Sequence, residues 1–345
     1  MNLLSTTASP TPGHRPSQIL GLARGILEPE MHAAVESMPE PLRRMAGYHF
    51  GWWDAQGRAL RGNTGKLLRP ALTISACVAA GGAPESAAPA AVAAELIHNF
   101  TLLHDDVMDG DSTRRGRPTV WALWGVADAV LLGDCLHALA AEVLATRLPA
   151  GVIGPALDRL ESTVIELCRG QHEDCSATTE QLLSLETSEQ MSMRKTGALM
   201  GCSCALGALC ADADPQTVTA MDRFGRELGM AFQLTDDLIG IWGEQAHIGK
   251  PASDLARRKY TMPVVAALLS RTAAATELDE LYHRRDRLTA AEVARAAELI
   301  EATGGRRWAE EQVHRRTEAA LRCLPDDSAG ADLEVLARLI AHRSV

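Results

Sequence analysis

The sequence predicts an all-α fold, and three observations carry that expectation. Ala and Leu dominate a hydrophobic fraction of 46%, while aromatic residues make up only 4%, so the material available for a core is helix-forming. Apolar residues recur at helical spacing over long stretches, whereas β-branched runs are short and strand-like alternation is absent. Breaks at Pro39 and Pro41, at residues 57–64 and at Gly81 with Gly82 cut the first part of the chain into helix-length pieces. The 345 residues could form one large domain or two ordinary ones; no clear linker divides them, so residues 17–345 read as a single domain.

Charge and composition exclude several classes. A net charge of -10 argues against a general nucleic-acid binder, although Lys and Arg cluster locally and leave room for an anionic substrate. The eight cysteines form no CxxC pair and sit mostly in apolar runs, as small buried residues of a reducing cytoplasm do. The N-terminus lacks the basic and apolar regions of a signal peptide, and no segment is expected to approach the ~20 apolar residues of a membrane span. A cytoplasmic protein is the expectation.

Taken in order, residues 1–16 are rich in Ser, Thr, Pro and Gly and read as a disordered tail, with a docking peptide as the alternative. Helical patterning runs over 17–38 and again through Met45 and Phe50. In GKLLRPAL, residues 65–72, Lys66 and Arg69 stand three apart at a helix opening, where both can face one anion. After an Ala-rich stretch comes ELIHNFTLLHDDVMDGDSTRRGRPT, residues 95–119. Asp105 and Asp109 are four apart, so on a helix their carboxylates stack and repel. A divalent cation such as Mg²⁺ relieves that repulsion, and it completes its shell with water and phosphate. Arg114 and Arg115 follow in a loop expected over 110–118, and guanidinium groups suit phosphate. Acids that hold a metal beside arginines that hold phosphate point to a Mg²⁺-bridged diphosphate; a solvated acidic helix end is the plain alternative.

Helices are expected over 127–147 and 154–173, the second ending in GQHED with Gln171 and Asp174. MRKTGAL brings Lys195 beside Thr196, and GCSCALGALC behind it is small enough for tight helix packing. FQLTDDLIGIWG, residues 232–243, repeats the acidic device with Asp236 and Asp237, and Gln233 precedes them by about one turn. Two such helix ends can face each other across a cavity. In HIGKPASDLARRKYTMP, Lys250 and Lys259 fall in a loop and a helix, and Asp254 reads as an N-cap or a lysine-orienting acid. The helices from Val264 onward carry no recognisable chemistry.

From about Gly65 to Pro263 these motifs together resemble the trans-isoprenyl diphosphate synthases, head-to-tail prenyltransferases of the polyprenyl synthetase family. The resemblance implies a single-domain helical barrel or bundle of the class I isoprenoid synthase type, working as a homodimer with Mg²⁺, Mn²⁺ being able to substitute. Its substrates would be isopentenyl diphosphate and an allylic diphosphate (dimethylallyl, geranyl or farnesyl). By resemblance, Lys66, Arg69, His98 and Arg115 hold isopentenyl diphosphate, with Thr64 where the family has a second Gly. Arg114, Lys195, Lys250 and Lys259 reach the allylic diphosphate. Asp105, Asp109 and Asp236 hold metal, with Asp237 supporting, and Asp106 is counted with the catalytic residues; Thr196 steadies the developing cation, and Gln171 and Gln233 line the cavity. The second motif departs from the family's DDxxD: its third position is Gly240, and Glu244 is the nearest replacement in sequence.

In such enzymes the allylic diphosphate leaves, isopentenyl diphosphate attacks the cation, and a proton is lost to the departing group, with no covalent nucleophile. Phe100 and Thr101, five and four residues before Asp105, with no insertion in the motif, resemble the geranylgeranyl type. A farnesyl diphosphate synthase is the alternative. On an ideal helix Thr101 falls about 40° from Asp105 but Phe100 about 140°, so Phe100 has to reach the cavity from the side. A class I terpene cyclase would not need the GKLLRP and RR elements, and a non-catalytic subunit would not keep both acidic motifs.

Overall fold

The computed structural model describes residues 14–60, 67–176, 184–243, 253–284, 286, 288–325 and 328–342. Lys66, Glu244, Lys250 and the tail to residue 13 lie outside the described residues. His14 to Pro16, expected as part of the tail, are described: His14 bonds Asp332 from its backbone N–H at 3.2 Å and from Nδ1 at 3.0 Å.

The architecture is built on its small residues. Helices α1 (Pro16–Glu36), α2 (Leu42–His49), α3 (Leu68–Ala79) and α4 (Ala88–Met108) follow the expected patterning. Later come α5 (Val120–Trp124), α6 (Val126–Arg147), α7 (Ala150–Ser176), α8 (Leu185–Ser192), α9 (Ala198–Cys210) and α10 (Pro215–Trp242). Every residue of α9 from Ala198 to Ala208 is buried, because α3, α4, α7 and α10 all pack on it. Close approach needs the missing side chains: a Cβ on Gly229 of α10 would lie 2.6 Å from the Cα of Gly197. Between α8 and α9 the helix runs through a π turn, Met193–Gly197, where Ala198 N–H donates to the Met193 carbonyl five residues back.

α4 runs through the core beside α6. Ala90 to Ala94 are completely buried, and Gly133 of α6 leaves room for the His104 ring, which bonds the Val130 carbonyl at 3.1 Å. α6 also corrects an expectation. Its 22 residues include an 18-residue window of mean hydropathy 1.5, enough by length and composition for a membrane span, although 44% of that window is buried. The sequence conceals this because Asp128, Asp134, Glu142 and Arg147 interrupt the apolar run. Leu132, Leu136 and Ala140 face the core, while Val126, Val130 and Leu131 stay exposed.

The segment 110–118 is more ordered than a plain loop. Thr113–Arg114 pairs antiparallel with Arg117–Pro118, and the two-residue turn between them is Arg115 (φ 51°) and Gly116 (φ 74°). Positive φ at both turn residues matches the natural twist of a hairpin. Arg117 holds this hairpin on α2, donating to the carbonyls of Tyr48 (3.1 Å) and Trp53 (3.0 Å) with its guanidinium 4.0 Å from the Tyr48 ring centre.

A shorter C-terminal set follows: α11 (Ser253–Ala256), α12 (Met262–Leu268), α13 (Ala273–Tyr282), α14 (Ala290–Ala302), α15 (Gly305–Leu321) and α16 (Ala331–Ala341). Leu255, Val264, Leu278, Tyr282 and Leu299 form a second small core there. Lys259 stands between α11 and α12, not on a helix as expected, because Arg258 takes a left-handed φ of 56° and ends α11 early. The cysteines also divide: Cys77, Cys202 and Cys204 are buried as expected, but Cys168 and Cys175 are exposed on α7.

Candidate active site

The first acidic motif occupies the C-terminal end of α4, where carbonyl dipoles already concentrate negative charge, and the second lies one to two turns before the end of α10. Neither last turn carries a basic residue of its own. Acids in the last turn of α4 cost about 0.3–1 kcal/mol each, so this end of the site favours cations from elsewhere. Burial raises the pKa of Asp105, and the neighbouring Asp109 adds to the rise; Lys195 and Arg114 oppose it.

Two cavities meet at this point. The first, about 1010 Å³, is lined by Arg69, His98, Arg114 and Arg115, with Glu95 and Asp106 among its acids. The second, about 520 Å³, is lined by Asp105, Lys195 and Thr196 and also by Phe100, Thr101 and His104. Arg69, His98 and Leu102 line both, so the two spaces share a wall. Two anionic substrates can therefore be held side by side.

In the first cavity a polar network lies under the cationic groups. Asn99 donates Nδ2 to the Glu95 carbonyl (2.8 Å) and carboxylate (3.0 Å), and its Oδ1 accepts from His49 Nε2 at 3.1 Å. Burial raises the pKa of Glu95, against the pull of Arg69 and Arg115. Burial and then the surrounding arginines drive His98 well below its ordinary value and His49 down to about 3, so both imidazoles are neutral at pH 7. Arg69 keeps a buried Nε without a partner, a donor available to a bound anion. Glu95, Asn99 and His49 escaped the sequence reading. Their only signal was spacing: Glu95 and Asn99 stand one turn apart on the face of α4 that continues to Asp106.

Asp106 and Arg114 are brought together differently from the roles implied by resemblance. The Asp106 carboxylate, 3% exposed, accepts from Arg114 Nε at 2.8 Å and so holds that arginine. Arg114 shares the first cavity with Arg115, although its charge is also felt by Asp105.

In the second cavity Phe100 reaches the wall from the side, as the helix angle required. Its ring stacks on His137 of α6 (centroids 5.4 Å, 21°) and meets His104 edge-on at 4.9 Å. His137 in turn bonds Glu161 of α7 at 2.9 Å. His137 carries no sequence signal, because nothing in α6 marks which residue would meet α4. Gln171 lines this cavity too, with its Oε1 buried and unpartnered. Lys195, on the π turn, is paired with Asp174 at 2.6 Å; burial works against its charge, but Asp105 and Asp174 outweigh it and raise its pKa.

On α10, Asp236 is half-buried and close enough to Arg69 to act on its charge. Asp237 points inward: it accepts from Gln233 Nε2 at 2.8 Å and the Met262 N–H at 3.3 Å, and burial pushes it up to about 7. Gln233 Oε1 accepts the Thr196 hydroxyl at 2.8 Å. That bond consumes the hydroxyl proton and leaves the Thr196 oxygen lone pairs for the cavity it lines.

The segment after α11 closes across the first motif. Lys259 Nζ lies 3.1 Å from Asp109, and Arg257 pairs with Asp111. The donor set fits Mg²⁺: hard carboxylate oxygens on two helices, with a lysine already attracted to one of them. Among the described residues no three acids, histidines or cysteines converge to hold a metal alone. Mg²⁺ needs only one or two carboxylates where phosphate and water complete its shell.

Comparison with known proteins agrees with this geometry. Residues 52–300 match the family model described as polyprenyl synthetase. The chain is 50% identical to a geranylgeranyl diphosphate synthase of Mycobacterium tuberculosis over 94% of its own length and 93% of the relative's. It is 42% identical to a (2E,6E)-farnesyl diphosphate synthase of the same species, over 94% and 92%. Among solved structures, a polyprenyl synthetase from Streptomyces coelicolor A3(2) superposes with a TM-score of 0.89 at 40% identity, covering 94% of this chain and 99% of that one. A geranylgeranyl pyrophosphate synthetase from Pyrococcus horikoshii gives 0.83 at 29% identity, over 95% and 99%. The matched family model, the relatives and the paired acidic motifs agree: this chain is an all-α enzyme of the polyprenyl synthetase family.

Proposed function

We propose that the enzyme condenses isopentenyl diphosphate with dimethylallyl, geranyl and farnesyl diphosphates and stops at geranylgeranyl diphosphate. The observation that carries this is the pair of cavities sharing Arg69 and His98, the smaller of which is walled by Phe100. Arg69, His98 and Arg115, joined by Lys66, hold isopentenyl diphosphate by charge and hydrogen bonds. Lys195, Lys259, Lys250 and Arg114 bind the allylic diphosphate. Asp105, Asp109 and Asp236 would hold Mg²⁺ or Mn²⁺, which when bound supplies the positive charge that makes diphosphate a good leaving group. Thr196, oriented by Gln233 and Asp237, turns lone pairs towards the carbon that becomes cationic. The apolar walls, Leu102 and Leu199 among them, keep water from that cation.

A cytoplasmic homodimer is the form that goes with this reading, and the exposed apolar face of α6, with Val126, Val130 and Leu131, supports it as the subunit contact. Labelled isopentenyl diphosphate, supplied with each primer in turn, tests the function. A twenty-carbon product from all three primers is expected. Products ending at fifteen carbons would favour the farnesyl alternative, and released hydrocarbon a cyclase. Asp236→Ala tests the second motif: turnover is expected to fall on the order of 10²-fold or more, with a weaker response to added Mg²⁺. A metal response identical to wild type would remove Asp236 from the ligands.

A further inference from the structure

We propose that His49 is a positioning residue for the isopentenyl diphosphate half of the site: through Asn99 it holds the Glu95 carboxylate off Arg69 and Arg115, so that both arginines stay open to the diphosphate. The inference rests on the functional reading given above and adds to it a residue at the end of α2 that belongs to none of the motifs. Arg69 and Arg115 line the first cavity, and among the described residues neither side chain makes a hydrogen bond or ion pair. Burial works against the charge of each, and for each the largest opposing pull is that of Glu95. An ionised Glu95 therefore balances the two cations without occupying their N–H groups. Direct pairing would satisfy the acid and take those donors from an incoming anion.

Asn99, buried one turn beyond Glu95, donates its amide nitrogen to both the carbonyl and the carboxylate of that residue. Two acceptors on that side fix the amide with Oδ1 facing the other way, where it meets His49 Nε2 at 3.1 Å. A neutral imidazole has one N–H, and an accepting oxygen beside Nε2 puts the proton there. His49 is the one donor to that oxygen among the described residues. Taking the donor away leaves a buried carbonyl oxygen bare, and the amide can then turn and release Glu95 towards the arginines. On the reading above the primer is bound by other groups, among them Arg114, which Asp106 already holds. The effect of His49 therefore falls on one substrate.

The test is steady-state kinetics with isopentenyl diphosphate and geranyl diphosphate varied in turn, together with thermal melts, on wild type, His49→Phe and His49→Gln. His49→Phe keeps a planar ring without the N–H. It is expected to raise the KM for isopentenyl diphosphate about tenfold, with kcat and the KM for the primer close to wild type. His49→Gln sets an amide N–H near the place of Nε2 and is expected to recover most of that loss. Should His49→Phe not fold, Asn99→Ser, which removes the amide and leaves the ring, carries the same expectation. The lock itself is read without substrate by nitrogen magnetic resonance of the imidazoles: the signals that vanish in His49→Gln should report a proton on Nε2 and a bare Nδ1. An unchanged KM for isopentenyl diphosphate in the folded variants, a rise shared equally by both substrates, no recovery in His49→Gln, or a proton on Nδ1 would overturn the proposal. Wild-type protein that does not elongate the primer would overturn the functional reading beneath it as well.

Discussion

Asp105→Ala is expected to lower kcat on the order of 10²–10³-fold while leaving the metal-free fold at least as stable as wild type. The two halves of that expectation have one cause. Burial and the nearby Asp109 raise the Asp105 pKa, so the folded protein favours the protonated form more than the unfolded chain does. A carboxyl group raised in this way contributes stability only below its unfolded value, and that contribution is lost as pH rises through the folded one. At pH 7 the charge is a burden on the empty protein, and alanine removes it. On the proposed mechanism the same charge is what diphosphate and metal need when they arrive. Thermal melts should show it directly: Mg²⁺ with inorganic diphosphate should raise the wild-type midpoint and raise that of Asp105→Ala much less. Asp109→Ala should behave alike in turnover, and it also releases Lys259. Full turnover in either variant, or in excess chelator, would contradict the role of the first motif.

The second large effect is on product length. Phe100→Ala is expected to move products beyond twenty carbons, and Thr101→Phe to shorten them towards fifteen. Phe100 is held between His104 and His137, so its ring forms a braced wall and removing it opens space towards α6. Thr101 lines the same cavity, and its hydroxyl bonds the His98 carbonyl at 2.8 Å, so a ring there would project into the space the growing chain needs. A buried Phe→Ala change commonly costs about 3–5 kcal/mol. A melt of the variant therefore accompanies chromatography of the dephosphorylated products, and Phe100→Leu provides a milder step in the same direction. An unchanged distribution in folded Phe100→Ala and Thr101→Phe would move the floor elsewhere.

Much of this site was legible in the sequence because helices convert spacing into direction. Asp105 and Asp109, four apart, share a face; Asp236 repeats the device; Thr101 falls on the cavity side of α4. Legibility failed where a contact depends on which residue of another helix comes opposite. His137 behind Phe100, Asp254 beside Gly240 and the neutral His49 under Asn99 are separated from their partners by between 14 and 50 residues of chain. It failed also where the backbone leaves regular geometry. The Arg115–Gly116 turn and the left-handed Arg258 decide where Arg115 and Lys259 project, and neither backbone state follows from residue type in a non-glycine residue.

The π turn that carries Lys195 and Thr196 bears on how this enzyme can change over generations. A π turn is what a helix becomes when it accommodates one residue more than its regular repeat. Taking that residue away returns the segment to α geometry with α8 and α9 still in phase, so loss of a single codon within 193–196, which leaves Gly197 against Gly229, is compatible with an intact fold. The change falls on the turn itself, where the residues between the deletion and the end of the turn swing by about 100° around the axis. Lys195 would leave Asp174, or Thr196 would leave Gln233. On the roles proposed for Lys195 and Thr196, such a deletion would remove chemistry while sparing the helix, and a lineage could pass through it and keep a folded, silent protein.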